Sequence, residues 1–324
     1  MSELCKDISV SFAAATLLSE RDWLILTHQY PDGDTLGSAY ALCRALQRTG
    51  RKARVICADP IPEKYAYLTS AAQADEVSEA HIVAVDVADS KLLGAEFNAV
   101  YGKRIDLCID HHHSNTRYAS RLLLQDCSAA AMPVSKVIAA MGVSLDPVIA
   151  EALYTAISTD TGCFKYSNTT AETHRLAAEL MELGVCADRI NREMFDIKSR
   201  ARLELERLAL AAMQFHFHDR LAIMPITAEM IRRAGVVEND MEGLAPIPRQ
   251  VEGVWVGIML RETADGGFKV SFRTGNHADA SDIAARLGGG GHAAAAGCHI
   301  NKPLEETLRL LVDAVAAAVP SITE

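Results

Sequence analysis

Four short runs rich in branched apolar residues punctuate the first third of the chain: "DWLILTH", "KARVICA", "HIVAVD" and "IDLCID". Between the first two lies "LGSAYALCRALQRTG", whose apolar positions recur with a helical period. A strand, helix, strand rhythm of this kind predicts a mainly parallel sheet. The helical period returns at "AAAMPVSKVIAAMG", "PVIAEALYTAIST" and "TAETHRLAAELMELG". The last of these is expected to open on a capping box of Thr169 and Glu172 and to close at Gly184. Residues 188–214 are charged and helical throughout and read as a connector.

Beyond the connector the texture changes to strand pairs, "HFHDRLAIMPIT" and "GVWVGIMLRETADGGFKVSFRTG", the second turning at Asp265-Gly266-Gly267. A glycine run, "GGGGHAAAAG", follows and is expected to open a helix whose N-terminal amides favour an anion. A terminal helix closes the chain. The expected fold class is α/β in two domains. An N-terminal, mainly parallel sheet flanked by helices spans 1–187, a helical linker spans 188–214, and a smaller C-terminal α/β domain spans 215–324.

Composition narrows the function. At 324 residues and 49% hydrophobic, the chain is long enough for two separate cores. "SFAAATLL" is too short and wrongly flanked for a signal peptide, and Asp313 interrupts "LRLLVDAVAAAV", so no run reaches the roughly 18 apolar residues of a membrane span. Eight cysteines lie scattered without a C-x-x-C pair, as expected of reduced thiols in the cytoplasm. The net charge of −10 argues against long contact with duplex nucleic acid, which depends on many basic groups. A small anionic substrate is still compatible with it if carboxylates hold cations. The sequence thus predicts a soluble protein off the membrane, and leaves open whether it forms a homodimer.

Candidate chemistry gathers where the strands end. His28 closes the first apolar run, and Asp32 and Asp34 follow in a turn that precedes a helix, where open α/β sheets bind ligands. Taken alone, these aspartates read equally as a turn and an N-cap. A calcium loop does not fit, because no glutamate falls twelve residues from Asp32. The composition then recurs: Asp86 ends "IVAVD", Asp110, His111, His112 and His113 end "LCID", and Asp160 ends an apolar helix. Carboxylates with a few imidazoles select divalent ions, and so many anions without a cation would repel one another, at a cost of several kcal/mol.

"HQYPDGDTLGS", "VDVADS", "IDHHHSN" and "STDTGCFKYSNTT" resemble, in order and spacing, the four motifs of the DHH phosphoesterase superfamily. "SFRTG" and "GGGGHAAAAG" resemble the glycine-rich nucleotide-binding domain that accompanies it in one subfamily, and the length is most similar to its nanoRNase and pAp phosphatase group. The resemblance implies two divalent ions, manganese foremost, with magnesium or cobalt as alternatives. His28, Asp32 and Asp86 would hold one, and Asp34, Asp86, His111 and Asp160 the other, with Asp86 bridging. It assigns His112 to the scissile phosphate and Asp110 to orienting a histidine, while His113 reads as an exposed loop residue. Asn115 either steadies the loop or contacts substrate. In the second domain, Arg273, Gly289, Gly290, Gly291 and His292 would bind the nucleotide.

The implied activity is hydrolysis of short oligoribonucleotides and of 3′-phosphoadenosine 5′-phosphate. The rival substrates are cyclic dinucleotides or the linear pApA and pGpG. A rival of another class is a nucleotide-binding regulator with a dead core, whose simplest mark would be a lost ligand position; here all are filled.

Overall fold

The apolar runs of the first third become neighbouring strands in a sheet whose pairs are all parallel. In this computed structural model, residues 5–70, 72, 75–77, 81–237, 241 and 243–323 are described. The chain divides into two compact units, Met1–Ile197 and Lys198–Glu324.

In chain order the first unit comprises β1 (Lys6–Asp7), α1 (Val10–Ser19), β2 (Asp22–Leu26), α2 (Gly33–Arg48), β3 (Lys52–Ile56), α3 (Ala66–Thr69) and β4 (His81–Val85). It continues with α4 (Ala95–Tyr101), β5 (Leu107–Asp110), β6 (Arg121–Leu124), α5 (Ala131–Ala140), α6 (Pro147–Asp160), α7 (Ala171–Glu182) and α8 (Ala187–Asn191). The sheet order is β1-β6-β5-β4-β2-β3. Alternate strand residues point to opposite faces. Trp23, Ile25, Val83, Val85, Leu107 and Ile109 enter a core shared with α1, α2, α5, α6 and α7, while Leu26, Ile82, Ala84, Cys108 and Leu122 meet the side of α4. The chain leaves β2 toward β3 but then returns to the other side of β2 to form β4. The connections therefore diverge between β2 and β4, and a crevice at the carboxyl ends of the strands follows from that reversal.

The second unit contains α9 (Arg200–Ala211), β7 (Gln214–His216), β8 (Leu221–Ile226), α10 (Ala228–Ala234), β9 (Val256–Glu262) and β10 (Phe268–Thr274). After these come α11 (Ala280–Ala285), β11 (Gly290–His292), β12 (Ala295–Ile300) and α12 (Leu304–Ala318). Its sheet runs β11-β12-β10-β9-β8-β7 and is antiparallel except for β8 with β9. Among the described residues, no helix is long and apolar enough to cross a membrane.

Three local expectations are corrected. The stretch 188–214 is not one helix: α8 passes into a π-helical turn at Arg192–Asp196, the chain extends at Ile197, and α9 starts afresh on the Ser199 cap. Leu205 and Ala209 of α9 pack with Met224, Ile226 and Met259, which makes α9 part of the second unit's core. The capping box of α7 is built by Thr170 and Thr173, one residue later than the expected pair, because the Thr173 hydroxyl reaches the cap backbone. The glycine run opens no helix. It forms a hairpin of β11 and β12, since alternating contacts against β10 offer its backbone a ladder.

Within α9, Glu206 is buried with Arg202 and accepts hydrogen bonds from Lys198 Nζ at 2.9 Å and Arg202 Nε at 2.8 Å. Burial pushes its carboxyl up, but these two cations more than offset it and hold the group below the usual glutamate range. A lowered folded-state pKa contributes stability above the unfolded value of about 4.3, and that contribution is lost as pH falls further. Glu206→Gln is therefore expected to destabilise the protein at neutral pH by about 1–3 kcal/mol. The gap should close as pH drops below about 4. Urea unfolding of both proteins across pH measures this, and a gap independent of pH would refute it.

Candidate metal centre

The ends of three strands and of two helices deliver the candidate donors. His28 lies two residues past β2 and Asp86 one past β4, while Asp110 ends β5 and is followed by His111 and His112. Asp32 and Asp34 come from the start of α2, and Asp160 is the last residue of α6.

Close helix packing brings the last two elements together. A Cβ on Gly37 would lie 2.3 Å from the Ala152 carbonyl oxygen, and one on Gly33 would lie 2.4 Å from Thr159 Oγ1. Only hydrogen at both positions, one turn apart, lets α2 and α6 approach this closely.

Donor atoms of His28, Asp32 and Asp86 lie within 4.8 Å of one another, and so do those of Asp34, His111 and Asp160. Asp86 faces both groups: its Oδ2 is 3.8 Å from His28 Nε2 and its Oδ1 is 3.3 Å from His111 Nε2. Asp86 Oδ1 is buried without a hydrogen-bond partner. The residue also adopts a left-handed backbone, φ 61°, which costs a non-glycine residue on the order of 1 kcal/mol. A strained residue with an orphaned buried oxygen is poorly explained by folding, and a cation beside that oxygen would satisfy it.

Both imidazoles are set for ligation through Nε2. His28 Nδ1 sits 2.8 Å from the Gln29 carbonyl and His111 Nδ1 3.1 Å from the Cys127 carbonyl, so each donates its Nδ1 proton to the main chain. Asp34 accepts from the Ala130 and Ala131 amides at 2.6 and 3.2 Å, capping α5 from outside, and from Ser38 Oγ at 3.0 Å. Asp32 Oδ1 caps α2 by accepting from the Asp34 and Thr35 amides. The plain cap and the ligand are thus compatible readings of the same side chain.

Electrostatics show how crowded the anions are. Burial, then the charges of Asp86 and Asp160, push the Asp34 carboxyl well above the carboxylate range. Burial and Asp86 outweigh His111 to raise Asp160 to about 6. For the imidazoles, burial works downward but loses to the carboxylates. Asp32 and Asp86 raise His28 to about 9, and Asp86, Asp34 and Asp160 raise His111 to about 10. The cluster therefore gathers positive charge from protons, and divalent cations would displace those protons from the ligand atoms. Oxygen and imidazole donors together suit such ions.

His112 also lies within reach of Asp86 and His111, and donor atoms of the three group within 4.8 Å, but its ring is turned to another partner. Its Nδ1 donates to Asp110 Oδ1 at 2.8 Å, which leaves Nε2 at the more exposed end of the group. The Asp110 hydrogen bond, against burial, raises its pKa. Asp32 and His112 are 48% and 42% exposed while Asp34 and Asp86 are 1% and 3%, so solvent reaches the cluster along the side of the first two.

Residues 22–157 match the DHH family, N-terminal domain, and residues 224–320 match the DHHA1 domain. The bifunctional oligoribonuclease and PAP phosphatase NrnA of Thermus thermophilus is 36% identical over 300 residues, which span 90% of this chain and 88% of that protein. This chain belongs to the DHH family of phosphoesterases. A Bacillus subtilis DHH relative with the same description is 25% identical over 306 residues, covering 91% of this chain and 95% of its own. An exopolyphosphatase-related protein from Bacteroides fragilis shares the fold at a TM-score of 0.87 and 24% identity, covering 97% of this chain and 98% of that one.

In this DHH chain the remaining motif residues divide by what they touch. Asn115 donates to Asp110 Oδ2 at 2.6 Å and accepts from the Arg117 amide at 2.8 Å, so its amide is engaged within the loop. His113 is 81% exposed beside Asp126. Asn168, which the sequence reading quoted without a role, holds Asp160 Oδ2 at 3.2 Å and the Ser128 carbonyl at 3.0 Å. Thr35 was also missed; its hydroxyl donates to the Val85 carbonyl and ties α2 to the end of β4. An asparagine shortly after a candidate ligand was the one available signal for Asn168.

In the second unit, Arg273 pairs with Ala295 across β10 and β12, and Ala295 pairs with His292 across β12 and β11. Paired residues share a face, so Arg273 and His292 lie in one row with a methyl between them. Gly290 pairs with Gly297 in the neighbouring row of that face, and a Cβ there would meet nothing within 4 Å. Gly289 and Gly291 face the other way, where Cβ atoms would collide with the backbone of Gly297 and Ala296. Their absence of side chain serves packing of the hairpin.

Gly37→Ala is expected to force α2 from α6, destabilising the protein by about 1–3 kcal/mol and weakening divalent-cation binding, because Asp34 rides on the displaced helix. Chemical unfolding and a manganese titration check this. An unchanged midpoint with unchanged affinity would show slack between the helices.

Proposed function

We propose that this chain is a divalent-cation-dependent phosphoesterase that hydrolyses short oligoribonucleotides and 3′-phosphoadenosine 5′-phosphate in the cytoplasm. The observation that carries the reading is the placement of Asp86 between two donor groups, with one buried oxygen unpartnered. The description of the Thermus thermophilus relative as an oligoribonuclease and PAP phosphatase supports the substrate class. Free thiols at all eight cysteines suit a reducing compartment.

His28, Asp32 and Asp86 would hold one cation and Asp34, Asp86, His111 and Asp160 a second, manganese being the proposed ion over magnesium or cobalt. A structure of a RecJ exonuclease bound to manganese has the same fold, at a TM-score of 0.56 and 13% identity. When bound, the pair would neutralise phosphoryl oxygens and lower the pKa of an attacking water.

The chain's own residues do the rest. Asp110 fixes the ring of His112 so that Nε2, on the exposed side of the cluster, holds a proton to donate to a phosphoryl or leaving oxygen. Asn115 keeps Asp110 in place. Arg273, His292 and Gly290 would bind the nucleotide through one face of the second sheet, with Gly289 and Gly291 shaping the hairpin that carries them. The acidic surface, net −10, offers little to track a long strand.

Three outcomes test this. With manganese present, turnover should be highest on RNAs of about two to five nucleotides and on 3′-phosphoadenosine 5′-phosphate. Preference for cyclic dinucleotides or equal processing of long RNA per end would overturn the substrate class. Asp86→Asn, which tolerates the left-handed backbone, should reduce bound manganese from two ions to one or fewer and abolish turnover; full metal content measured by mass spectrometry would sink the bridging role. Asp110→Asn should keep both ions yet lower kcat by about 10²-fold or more, because His112 loses its orienting carboxylate. Loss of metal in that variant would instead place Asp110 among the ligands.

A further inference from the structure

One arginine of the second unit is seated in a manner that neither its fold nor its neighbours explain. Arg249 lies in the short 3-10 turn Ile247–Gln250 that precedes β9. Its Nε is buried without a hydrogen-bond partner, and no carboxylate among the described residues pairs with its guanidinium. A guanidinium is always charged and carries five donors, so a half-buried one left in this condition bears a desolvation penalty that no carboxylate among the described residues relieves.

Two glycines make room for it. A Cβ on Gly257 would lie 2.6 Å from the Arg249 backbone nitrogen, and a Cβ on Gly275 would lie 2.4 Å from Arg249 Nη2. Neither glycine has a positive φ that would call for its choice on backbone grounds. Gly257 is the cross-strand partner of Arg273, so the space it vacates is on the face that Arg273 occupies. Gly275 follows two residues after Arg273. The row across the sheet is therefore Gly257, Arg273, Ala295 and His292, with Arg249 laid over its glycine end. Two cationic side chains on adjoining positions of one face repel each other, and an anion held by both reverses the sign of that interaction.

We propose that Arg249 is a further phosphate-binding residue of this unit, which grips together with Arg273 a phosphate of the nucleotide other than the one hydrolysed. The inference rests on the nucleotide-binding role proposed above for Arg273 and the hairpin. A phosphate is the ligand of choice because its oxygens match the parallel donors of a guanidinium fork, and because 3′-phosphoadenosine 5′-phosphate, 5′-phosphorylated dinucleotides and RNAs of three or more nucleotides each carry a second phosphate.

The test is equilibrium binding of adenosine 5′-monophosphate and of adenosine to the full-length protein, with a chelator present so that the first unit offers no cation to the phosphate. Wild type should prefer the monophosphate by at least about tenfold. Arg249→Gln, which keeps most of the stem packing, should cut that preference about tenfold and lower the slope of log Kd against log salt by about one. Arg249→Lys, with charge but no fork, should fall between the two. Arg273→Ala should also abolish the preference.

If Arg273→Ala leaves the preference intact, or wild type shows none, the nucleotide-binding reading of this face fails and the inference falls with it. If Arg273→Ala abolishes the preference while Arg249→Gln and Arg249→Lys both bind like wild type, the role of Arg249 alone is overturned. Thermal melting is followed in parallel. Should Arg249→Gln melt early, the Arg249→Lys result at wild-type melting temperature decides, and a wild-type preference for the monophosphate in it counts against the proposal.

Discussion

Asp32, Asp34, Asp86 and Asp160 bring four carboxylates to one end of a sheet, two of them almost wholly out of water. Anions at such spacing in a low dielectric repel by several kcal/mol unless positive charge sits among them. That requirement governs the first unit. It lifts the pKa values of His28 and His111 so that protons supply the charge when nothing else does. It also gives the fold its most demanding task, which is to hold like charges together firmly enough that they cannot relax apart.

The architecture meets that task by taking the carboxylates from three rigid elements: Asp32 and Asp34 from the start of α2, Asp86 from the end of β4 and Asp160 from the end of α6. Divergent chain connections at β2 and β4 open the crevice, hydrogen-only contacts at Gly33 and Gly37 press α2 against α6, and helix-end amides on Asp32 and Asp34 hold their carboxylates in place. The histidines are fixed from behind by main-chain carbonyls of Gln29 and Cys127. Strand ends aim the donors, helix starts hold the acids, and the side on which Asp32 and His112 meet solvent is left open.

Much of this was legible in the sequence. The strands β4 and β5 announced themselves as branched apolar runs because both of their faces are buried, β2 and the edge strand β3 kept enough branched residues to be read with them, and the donors stood out because aspartate and histidine clusters recur at the ends of such runs. What escaped notice has physical reasons. β1 is two residues long and carries no pattern, and α9 looked like a solvated connector because two of its four buried positions are the charged Arg202 and Glu206, which leaves only Leu205 and Ala209 as apolar ones. The glycine run read as a helix start since backbone amides are exposed in either structure; only pairing with β10, a long-range contact, decides for a hairpin. Asn168 and Thr35 act through groups distant in sequence, Ser128 and Val85, and no local spacing encodes such a partner.

The double use of Asp32 and Asp34 bears on how relatives of this chain are read. Each caps a helix as well as facing the cluster, so a descendant that gave up catalysis would still be under pressure to keep both for the sake of folding. Their retention in a diverged sequence is weak testimony to a working centre. Asp86 is the opposite case: its backbone is strained, one oxygen is orphaned, and no helix leans on it. Once the chemistry is no longer selected, drift at that position relieves strain instead of causing it, and it is there that a silent member of the lineage should first reveal itself.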